Sequence, residues 1–453
     1  MRLAPAMLTL LLLPLAGCLD IGDDAGGDEA AAPTSALLDD ALALWDSGAP
    51  AANINLVGEW RNGGGAEIDA WENYLFVDRG SAVHILDVTD PARPEEVSVV
   101  DLAPGVLDVK VSDDGNWMFI GEDAEGSTAL AGPVNDAVAA TPVGGGPFTG
   151  GFYVIDISDK ENPTYVSELL VGPRRGPHMV FYHQQADGTE LVLGANADVS
   201  INRFDRDAGT LTELSRYSPD LIFDFNRDPE VFDVLYQGWA HDMFVMEDPV
   251  DNATLMYVAN WDAGLRIVDL TDPASPVEVG GWNAFPEGHE GNLHTVATDW
   301  VGDRRITIGT VEVGFAVVGG YHYAMGTDRS ILYVWDTTDP ANIELLGTWE
   351  NPDKEPAGRD YVPDEEITST HNFQFEDGRI YLAHYGLGVW VLDVSTPENQ
   401  ADPKVLGYYL EEGQNTWDVL IQRGVTWTSG VEGVLGLHFI TDEVGVGGLN
   451  GRA

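Results

Sequence analysis

Five times along the chain one short phrase returns: VHILDVTDP from Val83, FYVIDISDKENP from Phe152, LRIVDLTDP from Leu265, LYVWDTTDP from Leu332 and VWVLDVSTP from Val389. Each is an apolar run ending in aspartate, then a Ser/Thr-rich turn closed by proline. A second apolar stretch usually follows. Such a unit cannot bury its own hydrophobic face and needs neighbours, so the repeat sets the fold before any single residue does. The marker aspartates are Asp87, Asp156, Asp269, Asp336 and Asp393, and the interval from Asp156 to Asp269 is close to double the others. A degenerate unit fills it, around INRFDRDAGTLTELSRY from Ile201.

After the proline, three units close on a matching strand: VEVGGW to Trp282, IELLGTW to Trp349 and KVLGYY to Tyr409. The segment INLVGEW, ending at Trp60, has this form but no phrase before it. At the other end, WDVLIQR from Trp417 and VLGLHFI from Val434 supply strands with no closing strand after them. The economical reading is circular, with the N-terminal strand completing the last unit. It predicts an all-β chain folded as a seven-bladed β-propeller, with four strands in each blade and about 57 residues per unit. A linear solenoid would leave hydrophobic ends and need caps. The 52 glycines and 25 prolines supply the turns. Helical periodicity is confined to SALLDDALALW, Ser35 to Trp45.

The divisions read from the chain are a leader over 1–18, an acidic flexible tether over 19–52, the propeller over 53–442 and a Gly-rich tail over 443–453. Arg2 is the leader's charge, LTLLLLPLA from Leu8 its apolar core, and LAGC ends it at Cys18. The last four residues resemble a bacterial or archaeal lipobox, which implies cleavage before Cys18 and lipidation of its sulfur. Cys18 is the only cysteine, so no internal disulfide competes for it. The expectation is an extracytoplasmic protein held at a membrane or cell surface by lipid. An ordinary signal peptide with a chance cysteine is the alternative.

Twenty-two basic residues stand against 75 acidic ones, a formal net charge of −53. Such a surface repels nucleic acid and anionic lipid heads, so nucleic acid is not expected as a partner. An acid-rich, lysine-poor coat resembles that of salt-adapted organisms, which accounts for most carboxylates without any ligand. DRDAG from Asp205 has alternating oxygens but lacks the length and terminal glutamate of a calcium loop, and reads as a hairpin turn.

Four of the ten histidines stand at the start of an innermost strand: His178 in PHMVF, His241 in AHDMFV, His294 in LHTVA and His371 in THNFQF. Asp69, Asp108 and Asp418 hold what looks like the matching position in the other blades. Propeller geometry turns this recurrence into a ring of imidazoles and carboxylates at one channel mouth. The ends of the second strands return to that mouth and carry Asp78, Glu122, Asn196, Asn260 and His384, while His289 and Glu290 sit in the loop PEGHEGN. Neutral imidazole with carboxylate suits zinc, copper, iron or nickel, so a divalent transition metal is the candidate cofactor. The opposing reading is structural: a polar residue atop each inner strand bonds the neighbouring blade or holds water, and duplication of one blade repeats it.

The phrase LRIVDLTDPASPVEVGGW resembles the LVIVD-repeat family of extracellular β-propellers, and AHDMFV resembles the His-Asp-Val opening those repeats often carry. The resemblance spans Ile54 to Asp442 and implies a secreted or surface-attached propeller, with no activity attached. A more distant likeness is to the selenium-binding protein and methanethiol oxidase propellers, whose histidines are associated with copper. By position it extends to His178, His241, His294 and His371, although this chain has no cysteine in its propeller. The expected function is a monomeric binding or scaffold module that meets a surface protein, glycan or small ligand at the mouth. A copper- or iron-dependent oxidoreductase and a cell-surface adhesion protein are the alternatives.

Overall fold

The computed structural model describes residues 40–442 except 103–104, 124–149, 172–175, 197, 220–239, 251, 286–290, 313, 319–320, 326–330, 353–368, 411–414, 432 and 441. The leader with Cys18, most of the tether, His289, Glu290, the tail from 443 and most of the long insertions ahead of blades 4 and 6 lie outside the described residues. No described helix is long and apolar enough to cross a membrane.

Seven antiparallel sheets follow one another along the chain. Blade 1 runs from Ile68 to Asp101, blade 2 from Val106 to Leu170, blade 3 from Met179 to Tyr217 and blade 4 from Asp242 to Trp282. Blade 5 runs from Leu293 to Glu350, blade 6 from Phe373 to Tyr409 and blade 7 from Thr416 to Phe439. The innermost strands pack side by side in a closed cycle, each against the first strand of the next blade. Closure is as the repeat predicts: Ile54–Trp60 pairs with Gly433–Phe439 as the outer strand of blade 7. The degenerate unit is blade 3, where Asp198–Asp205 and Thr210–Tyr217 form the hairpin expected at DRDAG.

Just ahead of the closing strand, the chain clasps blade 6. Helix Ala41–Asp46 is capped by Asp40, and Ala51–Ala52 adds a short fifth strand beside Tyr408 and Tyr409. Trp45 sets its ring edge-on to Trp390 at 4.6 Å and to Tyr408 at 5.0 Å. Blade 5 carries a hairpin, Gly314–Val318 with Tyr321–Met325, between its second and third strands.

The repeated phrase has a physical cause. In all five clear units the marker aspartate accepts the backbone N–H two residues on: Asp87 from Thr89, Asp156 from Ser158, Asp269 from Thr271, Asp336 from Thr338 and Asp393 from Ser395. This side-chain turn ends the third strand sharply and sends the fourth back. The turn, closed by proline except in blade 3, then docks on the outer strand of the preceding blade. Where that strand carries serine, its hydroxyl donates to the turn: Ser98 to the Lys160 carbonyl, Ser167 to that of Gly209 and Ser215 to that of Pro273, each at 2.6 Å. Elsewhere it carries glycine and the approach is closer. A Cβ on Gly280 would lie 1.9 Å from the Pro340 carbonyl oxygen, and one on Gly58 would lie 2.1 Å from that of Pro91.

Candidate metal centre

The inner strands begin at one end of the ring, and the same local bond places three of the four histidines there. The backbone N–H of His178 donates to the Ala195 carbonyl, that of His241 to Ala259 and that of His371 to Ala383. His294 is the second residue of its strand, Leu293–Val301. The four rings form a continuous row, with centroids 4.6 Å apart from His178 to His241, 3.9 Å from His241 to His294 and 4.1 Å from His294 to His371. His241, His294 and His371 are buried.

Burial, then the neighbouring imidazoles, holds His241 and His294 well below the usual histidine range. Burial pushes His371 down to about 3. These rings are therefore neutral at pH 7, each with one N–H and one lone pair. The partners say which nitrogen holds which. Nδ1 of His241 meets the His294 carbonyl at 3.2 Å and Nδ1 of His371 meets the Trp417 carbonyl at 2.6 Å. A carbonyl only accepts, so Nδ1 carries the hydrogen and Nε2 the lone pair. Nδ1 of His294 meets the Thr295 hydroxyl at 2.8 Å.

The donor atoms of His241, His294 and Glu312 all lie within 4.8 Å of one another. Nε2 of His294 is 3.6 Å from the Glu312 carboxylate, whose other oxygen accepts from the Tyr385 hydroxyl. Two imidazoles and a carboxylate are a donor set that could hold a transition-metal ion, with coordination positions left for another ligand. Glu312 follows the second strand of blade 5, a place equivalent to Asn260 and His384. Sequence reasoning missed it, although the strand-end rule that marks Asn260 points there.

Two aromatic residues wall the row in matching loops, NWDAG from Asn260 and HYGLG from His384. Trp261 and Tyr385 have φ of +39° and +29°, a left-handed backbone that bulky residues rarely adopt. The strain turns each ring onto the histidine of its own blade: Trp261 stacks on His241 at 5.1 Å, and Tyr385 lies 4.8 Å from His371.

The aspartates do something else. Asp69 accepts from its own Ala70 N–H and from Val111 in blade 2; Asp108 accepts from Val109 and from Val180 in blade 3; Asp418 accepts from Val419 and from Ile68 in blade 1. They clamp each blade to the next. Asp242, one residue past His241, makes the same bond to its following amide, from Met243. This corrects the expected alignment: the clamp position lies one residue beyond the histidine, so Asp69, Asp108 and Asp418 do not share a site with the imidazoles. They form instead a buried polar centre with Glu67 and Asp242 around Lys110, whose ammonium lies 2.5 Å from Asp108. Burial raises Asp108 and Asp418, and it pushes Asp242 up to about 7. Burial works against the Lys110 charge, but Asp108, Asp69 and Asp418 hold it above the usual range.

The second-strand ends divide. Asp78 is buried and accepts from the Gly80 N–H, while Glu122 accepts from the Tyr153 hydroxyl and does not reach the row. The next residue, Asp123, lies 3.5 Å from His178. Asn260 and His384 are buried with their polar side-chain atoms unpaired, and the His384 ring faces Trp349 at 6.4 Å. Burial pushes His384 down to about 4.

The LVIVD repeat family matches residues 63–101, 147–170 and 255–284, within blades 1, 2 and 4 or at their margins. The chain is an LVIVD-repeat propeller. Solved structures agree on the fold. The β-propeller domain of Cps50 (Swd1) from Myceliophteria thermophila superposes on this LVIVD-repeat propeller with a TM-score of 0.52 at 10% identity, over 85% of this chain and 98% of that one. The WD40 β-propeller domain of Doa1 gives 0.51 at 10% identity, over 85% and 96%. No curated protein matches the sequence.

Proposed function

We propose that this LVIVD-repeat propeller is a lipid-anchored, extracytoplasmic binding module that holds a divalent transition-metal ion at a histidine-lined channel mouth. Binding or scaffolding is the role an LVIVD propeller fits in general; the metal, the mouth and the anchor make up the specific reading. One observation carries it: His241, His294 and Glu312 converge from two adjacent blades to within 4.8 Å. Neutral rings with Nε2 lone pairs suit copper or zinc. The ion, walled by Trp261 and Tyr385, takes a small ligand or a surface partner's side chain in its remaining positions. Three protein donors are also the number found in catalytic rather than structural zinc sites, which keeps an oxidoreductase as the second reading.

The test is elemental analysis of the purified protein beside His241→Ala, His294→Ala and Glu312→Gln. Near-stoichiometric copper or zinc that falls away in each variant is the expected result. Failure to retain metal, or to take it up after loading, overturns the reading. Cys18→Ser is expected to release the protein from the membrane fraction.

A further inference from the structure

The ring interior holds a carboxyl that serves no clamp. Glu67 is 4% exposed, and Asp418, Asp108 and Lys110 face it. Burial, then the Asp418 and Asp108 carboxylates beside it, raise Glu67 well above the usual carboxylate range, so of these carboxyl groups Glu67 is the one that keeps a proton. Asp418 already accepts from Ile68 and Val419, so it is the carboxylate and Glu67 is the acid that donates to it. With its hydroxyl engaged there, Glu67 presents its other oxygen only as an acceptor.

Three further bonds run in series from that oxygen to His294, and valence fixes the direction of each. The Asn372 amide nitrogen donates to Glu67. The Asn372 oxygen therefore faces the other way, where the Thr295 hydroxyl donates to it at 2.7 Å. A hydroxyl has one hydrogen, so toward His294, at 2.8 Å, Thr295 can only accept. The chain runs from blade 5 through blade 6 to the residue before blade 1, all of it buried.

We propose that Thr295, Asn372 and Glu67 are positioning residues for His294: their one-way chain of hydrogen bonds holds the ring as the Nδ1–H tautomer and keeps the Nε2 lone pair directed at Glu312. Its functional meaning rests on the metal-centre reading, because partners of this kind orient a ligating imidazole and raise its basicity. The tautomer itself does not depend on any metal.

The test reads the tautomer directly, by long-range 1H–15N correlation of the full, metal-free protein labelled at histidine, with His294 assigned by difference from His294→Gln. The wild type is expected to show a protonated Nδ1 and a bare Nε2. Thr295→Val removes the acceptor, and the Nε2–H form is expected to appear. Thr295→Ser restores the wild-type pattern. Glu67→Gln also keeps it, because the amide oxygen accepts from Asn372 while its NH2 donates to Asp418. Cobalt(II) affinity is expected to fall ~10–100-fold in Thr295→Val and to hold within about threefold in the other two. A wild-type His294 protonated at Nε2 overturns the proposal even if Thr295→Val does not fold, as does an unchanged tautomer in folded Thr295→Val. A tautomer that switches as described in a protein that binds no metal sinks the metal reading alone; metal bound equally by both proteins with the tautomer unmoved sinks the chain alone.

Discussion

Tyr385 concentrates several constraints in one side chain. Its backbone is strained at φ +29°, its ring lies on His371, and its hydroxyl holds Glu312. Tyr385→Phe keeps the ring and the backbone and removes only the bond to the carboxylate. Cobalt(II) or zinc affinity is expected to fall ~10-fold or more, since outer partners of metal ligands are typically worth that much. The loss in stability should be only about 1 kcal/mol. Competition titration against a chromophoric chelator measures the first and denaturant unfolding the second. Unchanged affinity would mean that Glu312 is not a ligand. At this scale the sequence was half legible. The repeat alignment brought His178, His241, His294 and His371 to one row. It could not separate Asp69, Asp108 and Asp418 from them, because one residue of offset in a strand turns a side chain to another neighbour and no composition records that. Tyr385 and Trp261 were hidden because nothing in HYGLG or NWDAG announces a left-handed aromatic.

The blade is held by its turns as much as by its core. Each docks on the outer strand of the blade before it, with serine at that contact in blades 1, 2 and 3 and glycine in blades 4 and 7. The two solutions predict different penalties. Ser215→Ala loses one hydrogen bond to the Pro273 carbonyl and should cost about 1 kcal/mol. Gly280→Ala places a methyl group 1.9 Å from backbone oxygen of the next blade, which cannot rotate away. The blades must part, at a cost of ~1–3 kcal/mol or more. Urea midpoints of the two variants check the ordering, and a Gly280→Ala protein as stable as Ser215→Ala would refute the docking account. The strands, the circular closure and blade 3 were legible because they follow from apolar runs and turn residues, which are local. The blade 5 hairpin was not, because Gly314–Met325 reads like more blade, and only pairing partners distinguish the two.

For the whole molecule the deciding quantity is charge. A formal −53 on one chain repels itself, and folding brings those carboxylates closer together than in the unfolded chain. The basic residues that could offset it are few, and some are spent inside: Arg305 is fully buried on Asp248 and the Thr337 carbonyl, and Lys110 lies among the carboxylates at the ring's centre. Screening acts on the exposed charges and hardly touches buried pairs, with a Debye length of about 10 Å at 0.1 M salt and about 3 Å at 1 M. Added salt should therefore stabilise this propeller, the reverse of what a protein held by surface ion pairs would show. Tm is expected to rise by several degrees between 0.1 and 1 M potassium chloride. Choline chloride of equal ionic strength separates the causes: equal shifts mean general screening, and a smaller shift with choline means that small cations bind particular carboxylates. A Tm that stays flat or falls in both salts would show that repulsion among these carboxylates does not limit the fold.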